Sequence, residues 1–148
     1  MKQLFFIPLL LFYFSAFATK EVVVEKSSIT TAPGIGGTAQ IAYAFAKGDV
    51  VKIEAKASKQ LERMLVYLYP EQVLGREKFT RKINFSFKMP EEGIVIFRFI
   101  SDRGGTNDIN YVVKRQPASN AVQNYNTRIK WLAPKDRLGE PMPVREGE

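Results

Sequence analysis

Residues 79–101, FTRKINFSFKMPEEGIVIFRFIS, decide the fold class. Ile83, Phe85, Phe87 and Met89 alternate with Lys82, Asn84, Ser86 and Lys88, a period of two that places the apolar side chains on one face of a strand. Pro90 presets φ for a turn, and Gly93 supplies a residue tolerant of positive φ at its end. From Ile94 to Ile100 only Arg98 interrupts the apolar run, the pattern of a strand buried on most of both faces. The stretch reads as a β-hairpin against which further strands pack.

Those further strands lie on both sides of it. Val22-Val23-Val24, within Glu21–Thr31, is a β-branched run suited to a strand. Ile41, Tyr43 and Phe45 alternate with Gln40, Ala42 and Ala44, and Lys47-Gly48-Asp49 makes a tight turn. Val51, Ile53, Ala55 and Ala57 then alternate with Lys52, Glu54, Lys56 and Ser58, which completes a second hairpin signal. Lys59–Arg63 reads as a polar turn, Met64–Tyr69 as a central strand ended by Pro70, and Pro70–Thr80 as a charged loop. After the turn cluster Asp102–Asn107, Ile109, Tyr111 and Val113 mark another strand, and Arg128–Leu132 a last short one. Ala32–Gly37, APGIGG, reads as a flexible bend, because it lacks both the Gly-Lys-Ser/Thr ending of a phosphate loop and the spacing of a dinucleotide fingerprint. The expectation is an all-β protein: an antiparallel β-sandwich of about eight strands, of jelly-roll type.

The ends of the 148-residue chain differ from its middle. Met1–Ala18 has a lysine, an apolar stretch and Ala16-Phe17-Ala18, the layout of a secretory signal peptide, and its apolar run is shorter than the ~20 residues of a spanning helix. The expected organisation is a signal peptide over 1–18, a β-domain over 19–133 and a disordered Pro-, Gly- and charge-rich tail over 134–148. The protein is expected to be exported, periplasmic or secreted, with no stable membrane span after cleavage.

Composition removes several chemistries. The chain has no His and no Cys, which excludes disulfides, thiolate nucleophiles, Ser-His-Asp and Cys-His catalysis and the usual zinc ligands. No cofactor is expected. The net charge of +7 favours acidic partners or simply solubility, since the basic residues are spread over many strands.

The segments AFAKGDVVKIEAK, LVYLYP and FSFKMPEEGIVIFRFIS resemble small jelly-roll domains of exported bacterial proteins, similar in pattern to pre-peptidase C-terminal and GOLD-type domains. RQPASNAVQNYNTRIKW resembles the end of such domains, so the likeness runs from about Ala44 to Trp131. It implies an exported β-domain and carries no catalytic residue with it.

Glu91 and Glu92 are sequence neighbours at a turn tip and need not converge as a glycosidase pair must. Asp102, Asn107 and Asp108 are calcium candidates, although such residues beside glycines also make plain turns. Arg76, Lys78, Arg81 and Lys82 cluster with Phe79 as a basic stripe with an aromatic. Export disfavours nucleic acid, which leaves an anionic glycan or lipid surface, or lysines that merely blunt a strand edge. Tyr67, Tyr69, Tyr111, Tyr125 and Trp131 could offer rings to a sugar, and Tyr125, in an irregular segment, is the exposed candidate. Asn84-Phe85-Ser86 matches a glycosylation acceptor without meaning in a bacterial protein. The reading is a non-catalytic binding or protein-interaction module of the cell envelope; the alternative is a carbohydrate-binding module using Arg76, Lys78, Arg81, Lys82 and Tyr125.

Overall fold

The computed structural model describes residues 19–33, 36–132 and 142–145, the last four and 129–132 as backbone only. The strands are β1 (Val22–Thr30), β2 (Thr38–Phe45), β3 (Val50–Leu68), β4 (Gln72–Lys88), β5 (Gly93–Ser101), β6 (Asp108–Gln116), β7 (Ile129–Leu132) and β8 (Met142–Arg145). Every pairing is antiparallel. β1 to β6 form one sheet, and β7 pairs with β8 outside it. Helical structure among the described residues is limited to short 3-10 turns.

The organising element is the long hairpin of the 19-residue β3 and the 17-residue β4. Along one edge of β3 runs β4. Its other edge is shared: residues 50–57 pair with β6, and residues 61–68 pair with β5. The sheet therefore has two halves, β1-β6-β3-β4 and β2-β5-β3-β4, hinged on one hairpin. It curls into a half-barrel so that the halves face each other. Tyr43 of β2 and Tyr111 of β6 meet across the core, hydroxyl to hydroxyl at 3.4 Å, and the rings of Phe87 (β4) and Phe97 (β5) lie 6.3 Å apart. Gly75 leaves room for the Phe85 ring within β4: a Cβ there would come within 2.1 Å of it. Phe45, Val51, Ile53, Leu61, Met64 and Phe97 fill the space between the halves.

Several expectations change at this level. The sheet has six strands rather than eight. It is one hydrogen-bonded sheet curled on itself, not the two separate sheets of a jelly-roll sandwich, although the curl gives it two facing layers. The turns at Lys47–Asp49 and Met89–Glu92 do not close hairpins. β2 pairs with β5, and β4 pairs with β3, because both turns carry the chain from one half to the other. The two crossings are joined: Gly48 N donates to Met89 O at 2.9 Å, and Met89 N donates to Asp49 O at 2.8 Å. The supposed charged loop 70–80 is strand over 72–80, its charges pointing out from an edge. The supposed polar turn 59–63 is a bulge inside β3. The stretches read as buried on both faces are so: Val95, Ile96, Phe97 and Phe99 in β5, and Met64, Val66, Tyr67 and Leu68 in β3. Arg98, the interruption in β5, faces outward over the Tyr67 ring at 5.3 Å and donates to Gln40 and to the Tyr67 hydroxyl.

The signal-peptide expectation, residues 1–18, and the tail beyond Leu132 apart from β8 lie outside the described residues. No helix among the described residues is long and apolar enough to cross a membrane.

Candidate functional site

The β3–β4 hairpin bends where its two strands fall out of register. Lys56 opposes Lys82 and Leu61 opposes Thr80, so β3 carries an excess of residues over 57–60. A bulge of this kind leaves backbone groups without ladder partners. Asn107, 1% exposed, supplies them. Its Oδ1 accepts from Lys59 N and from Ser58 Oγ, each at 2.9 Å, while its Nδ2 donates to Lys59 O at 2.9 Å. On the β4 side, Thr80 Oγ1 accepts from Lys82 N at 3.1 Å and donates to Lys82 O at 2.6 Å, and Arg81 donates to Ser58 O at 2.7 Å.

Phe79 sits at this bend with φ +47 and is 66% exposed. A bulky side chain in the left-handed region is strained by ~1–2 kcal/mol, and an exposed ring recovers little of that by packing. No strand among the described residues pairs with the outer edge of β4, so Phe79 and the exposed Val73 border a free row of backbone donors and acceptors. A depression of about 610 Å³ lies beside the bend, lined by Phe79, Arg81, Lys82 and Lys56.

A second and larger feature crosses the outer face of the half-sheet β1-β6-β3-β4. Directly opposed residues of antiparallel strands share a face. The register therefore aligns Lys26, Val112, Glu54 and Asn84 in one row, and Ser28, Asn110, Lys56 and Lys82 in the next. These two rows line a groove of about 790 Å³. Beyond the first row, Lys52 opposes Lys114. Both lysines hold Glu54, at 2.7 and 3.2 Å, and this pairing draws the Glu54 carboxyl below its ordinary range and raises Lys52.

The structure brings together part of the expected site. Arg76, Lys78, Arg81 and Lys82 share β4. Tyr125 does not join them. It lies by the turn after β4, its hydroxyl donating to Glu92 at 2.8 Å and its ring under the Arg115 guanidinium at 5.6 Å. The seven residues from Lys82 to Lys88 alone span about 20 Å of strand. Of the calcium candidates, Asn107 turns its oxygen onto two donors, and Asp108 accepts from Thr30 Oγ1 at 2.8 Å. Asp102 is exposed in a 3-10 turn. Among the described residues no group of three or more acidic side chains could hold a metal. Tyr111 and Tyr67 are core residues, and the side chain of Trp131 lies outside the described residues. The common face of Lys26, Lys52, Lys56 and Lys114 is not visible in the sequence, because three separate strands contribute them and only the pairing register brings them together.

No family model and no curated protein sequence matches the chain. Among solved structures it is similar to PliG from Aeromonas hydrophila, a periplasmic lysozyme inhibitor of g-type lysozyme, at 13% identity and a TM-score of 0.49, over 70% of this chain and 91% of that one. It is also similar to a family two carbohydrate esterase from Cellvibrio japonicus, at 10% identity and a TM-score of 0.36, over 67% of this chain and 34% of that one. Neither is a pre-peptidase or GOLD-type domain. Likeness at this level transfers no activity, partner or residue role.

Proposed function

We propose that the protein is an exported, non-catalytic binding module of the cell envelope that recognises a protein partner along the open edge of β4, with Phe79 as the anchor. One observation carries the reading: an aromatic ring is kept exposed and strained at a bend on a sheet edge that no strand among the described residues pairs with. Strain of that kind is retained where the exposed group is used. An open edge offers main-chain hydrogen bonds to an extended segment, and a flanking aromatic gives that segment a pocket or anchor. Arg76, Lys78, Arg81 and Lys82 on the same strand would select an acidic partner and keep the edge from pairing with copies of itself. The Met1–Ala18 leader supports export.

The test is site-specific photo-crosslinking in intact cells. A photoreactive phenylalanine analogue replaces Phe79 or Val73 in the full chain, with Lys47 as the control site. Protein adducts at 79 and 73 that are missing at 47 are expected. Equal yields at all three sites would dismiss the edge as the recognition surface.

The second reading, a carbohydrate-binding module, is favoured by the depression in which Phe79 meets Arg81 and Lys82. Tyr125 would then be a separate contact, not part of that depression. Adducts whose added mass is removed by glycosidases would move the assignment to this reading.

A further inference from the structure

We propose that the groove across β1-β6-β3-β4 binds an acidic polysaccharide, a linear polymer bearing repeated carboxylate or sulfate groups. This goes beyond the edge reading and does not depend on it, since Phe79 is not among the residues lining the groove.

Lys56 and Lys82 concentrate positive charge in the groove. They oppose each other directly in the β3–β4 register, so their Cβ atoms are ~5 Å apart, and like charges so placed destabilise a sheet. Among the described residues neither has a carboxylate within ion-pair distance, and Lys26, across the groove, has none either. The acid in the groove, Glu54, is already held by Lys52 and Lys114. The groove thus presents uncompensated positive charge. It crosses three strand spacings, roughly 14 Å, which suits an extended chain of charges better than a single anion.

The rest of the lining selects among polyanions. Tyr111 keeps its ring in the core, so the groove itself, unlike the adjoining depression with Phe79, has no exposed aromatic for nucleobases or for the apolar face of a neutral sugar. The outward rows hold one apolar side chain, the half-buried Val112, and the other apolar residues of the lining, Ala55, Ile83 and Tyr111, are buried, which leaves no protruding apolar group to anchor in a bilayer or to form a protein hot spot. Ser28, Asn84 and Asn110 are exposed and offer neutral donors and acceptors that match sugar hydroxyls. Lys56 and Lys82 also line the depression at the β4 bend, which continues the basic path.

The experiment measures binding of the purified protein to polygalacturonate, with neutral dextran, poly-glutamate and phosphatidylglycerol vesicles as competing probes. Two charge-matched triple variants are compared: Lys26→Gln/Lys56→Gln/Lys82→Gln in the groove, and Lys47→Gln/Arg63→Gln/Arg103→Gln elsewhere. The groove variant is expected to lose roughly tenfold or more, the other much less. Glu54→Gln is expected to bind more tightly, a gain that misfolding cannot produce. Equal losses in the two triple variants would reduce the effect to net charge and overturn the proposal. So would tighter binding to poly-glutamate or to vesicles than to polygalacturonate, or unchanged binding by Glu54→Gln.

Discussion

Asp49 and Arg115 form a buried ion pair, Nε to Oδ2 at 2.5 Å, that locks one end of the curled sheet. Asp49 is fully buried and Arg115 is 3% exposed. The carboxylate also accepts from the backbone of Ala46 and of Ala118, each at 3.0 Å. The guanidinium donates to the carbonyls of Gln123 and Val122. One pair thereby ties the turn between the two halves to the end of β6 and the segment after it.

Removing either partner strands a charge and several backbone groups. Asp49→Ala is expected to destabilise by about 3–5 kcal/mol in denaturant unfolding. Joint replacement by Asp49→Leu and Arg115→Met is expected not to restore full stability, because the Ala46 and Ala118 amides and the Gln123 carbonyl lose their partners, while Val122 O keeps only Tyr125 N at 3.2 Å. Full recovery in the double variant would show that the pair holds nothing but itself.

Asn107 fills the β3 bulge, and its amide is needed in one orientation. Asn107→Asp places carboxylate oxygen against the carbonyls of Lys59 and Gln60, which now accept from Nδ2. The variant is expected to lose about 1–3 kcal/mol and to be unaffected by calcium. Rescue by millimolar calcium in a thermal melt would instead revive the cation site.

Gly37 is packed against the second glycine loop. Its φ is +69, and a Cβ would lie 2.5 Å from Gly104 backbone atoms. Ser101 N donates to Gly37 O at 2.8 Å. Gly37→Ala should therefore cost about 2 kcal/mol or more, whereas Gly36→Ala, which meets no neighbour, carries only the strain of its positive φ. Equal costs at both positions would remove the packing term.

Glu54 gives the groove a pH response. Its carboxyl is faced by Lys52 on β3 and by Lys114 on β6, with Glu21 4.0 Å from Lys114, while its opposed neighbours Val112 and Asn84 are uncharged. Its folded pKa is depressed, so its small stabilising contribution is present above the ordinary glutamate range and is lost as pH falls through the lowered value. The same protonation releases Lys52 and Lys114. Polygalacturonate, whose carboxylates would titrate too, is replaced here by dextran sulfate. Binding should strengthen on acidification in the wild type and stay flatter in Glu54→Gln. Parallel pH profiles would place the response at another group.

Much of the strand content was legible, and its pairing was not. Alternation at Val51–Ala57 and Ile109–Val113 marks half-buried strands, and the unbroken runs at Met64–Leu68 and Ile94–Ile100 mark central ones; Ile41–Phe45 alternates in sequence yet is buried on both faces, because its intervening residues are the small Ala42 and Ala44. Alternation says which face is buried but not which neighbour lies alongside. The turns at Gly48 and at Pro90–Gly93 carry ordinary hairpin chemistry yet serve as crossings, since β3 has both edges taken by β4, β5 and β6. The basic residues of β4 were visible as a run. Lys26 and Lys56 join Lys82 only through register, a long-range property absent from any local window.

Equilibrium denaturation of Phe79→Asn tests most directly whether Phe79 is kept exposed for recognition rather than for folding. Asparagine tolerates the left-handed conformation at φ +47, so its stability should equal or exceed that of the wild type by up to ~1 kcal/mol. A loss of more than about 1 kcal/mol would mean that the ring holds the β4 bend together, and the recognition role assigned to it would fall.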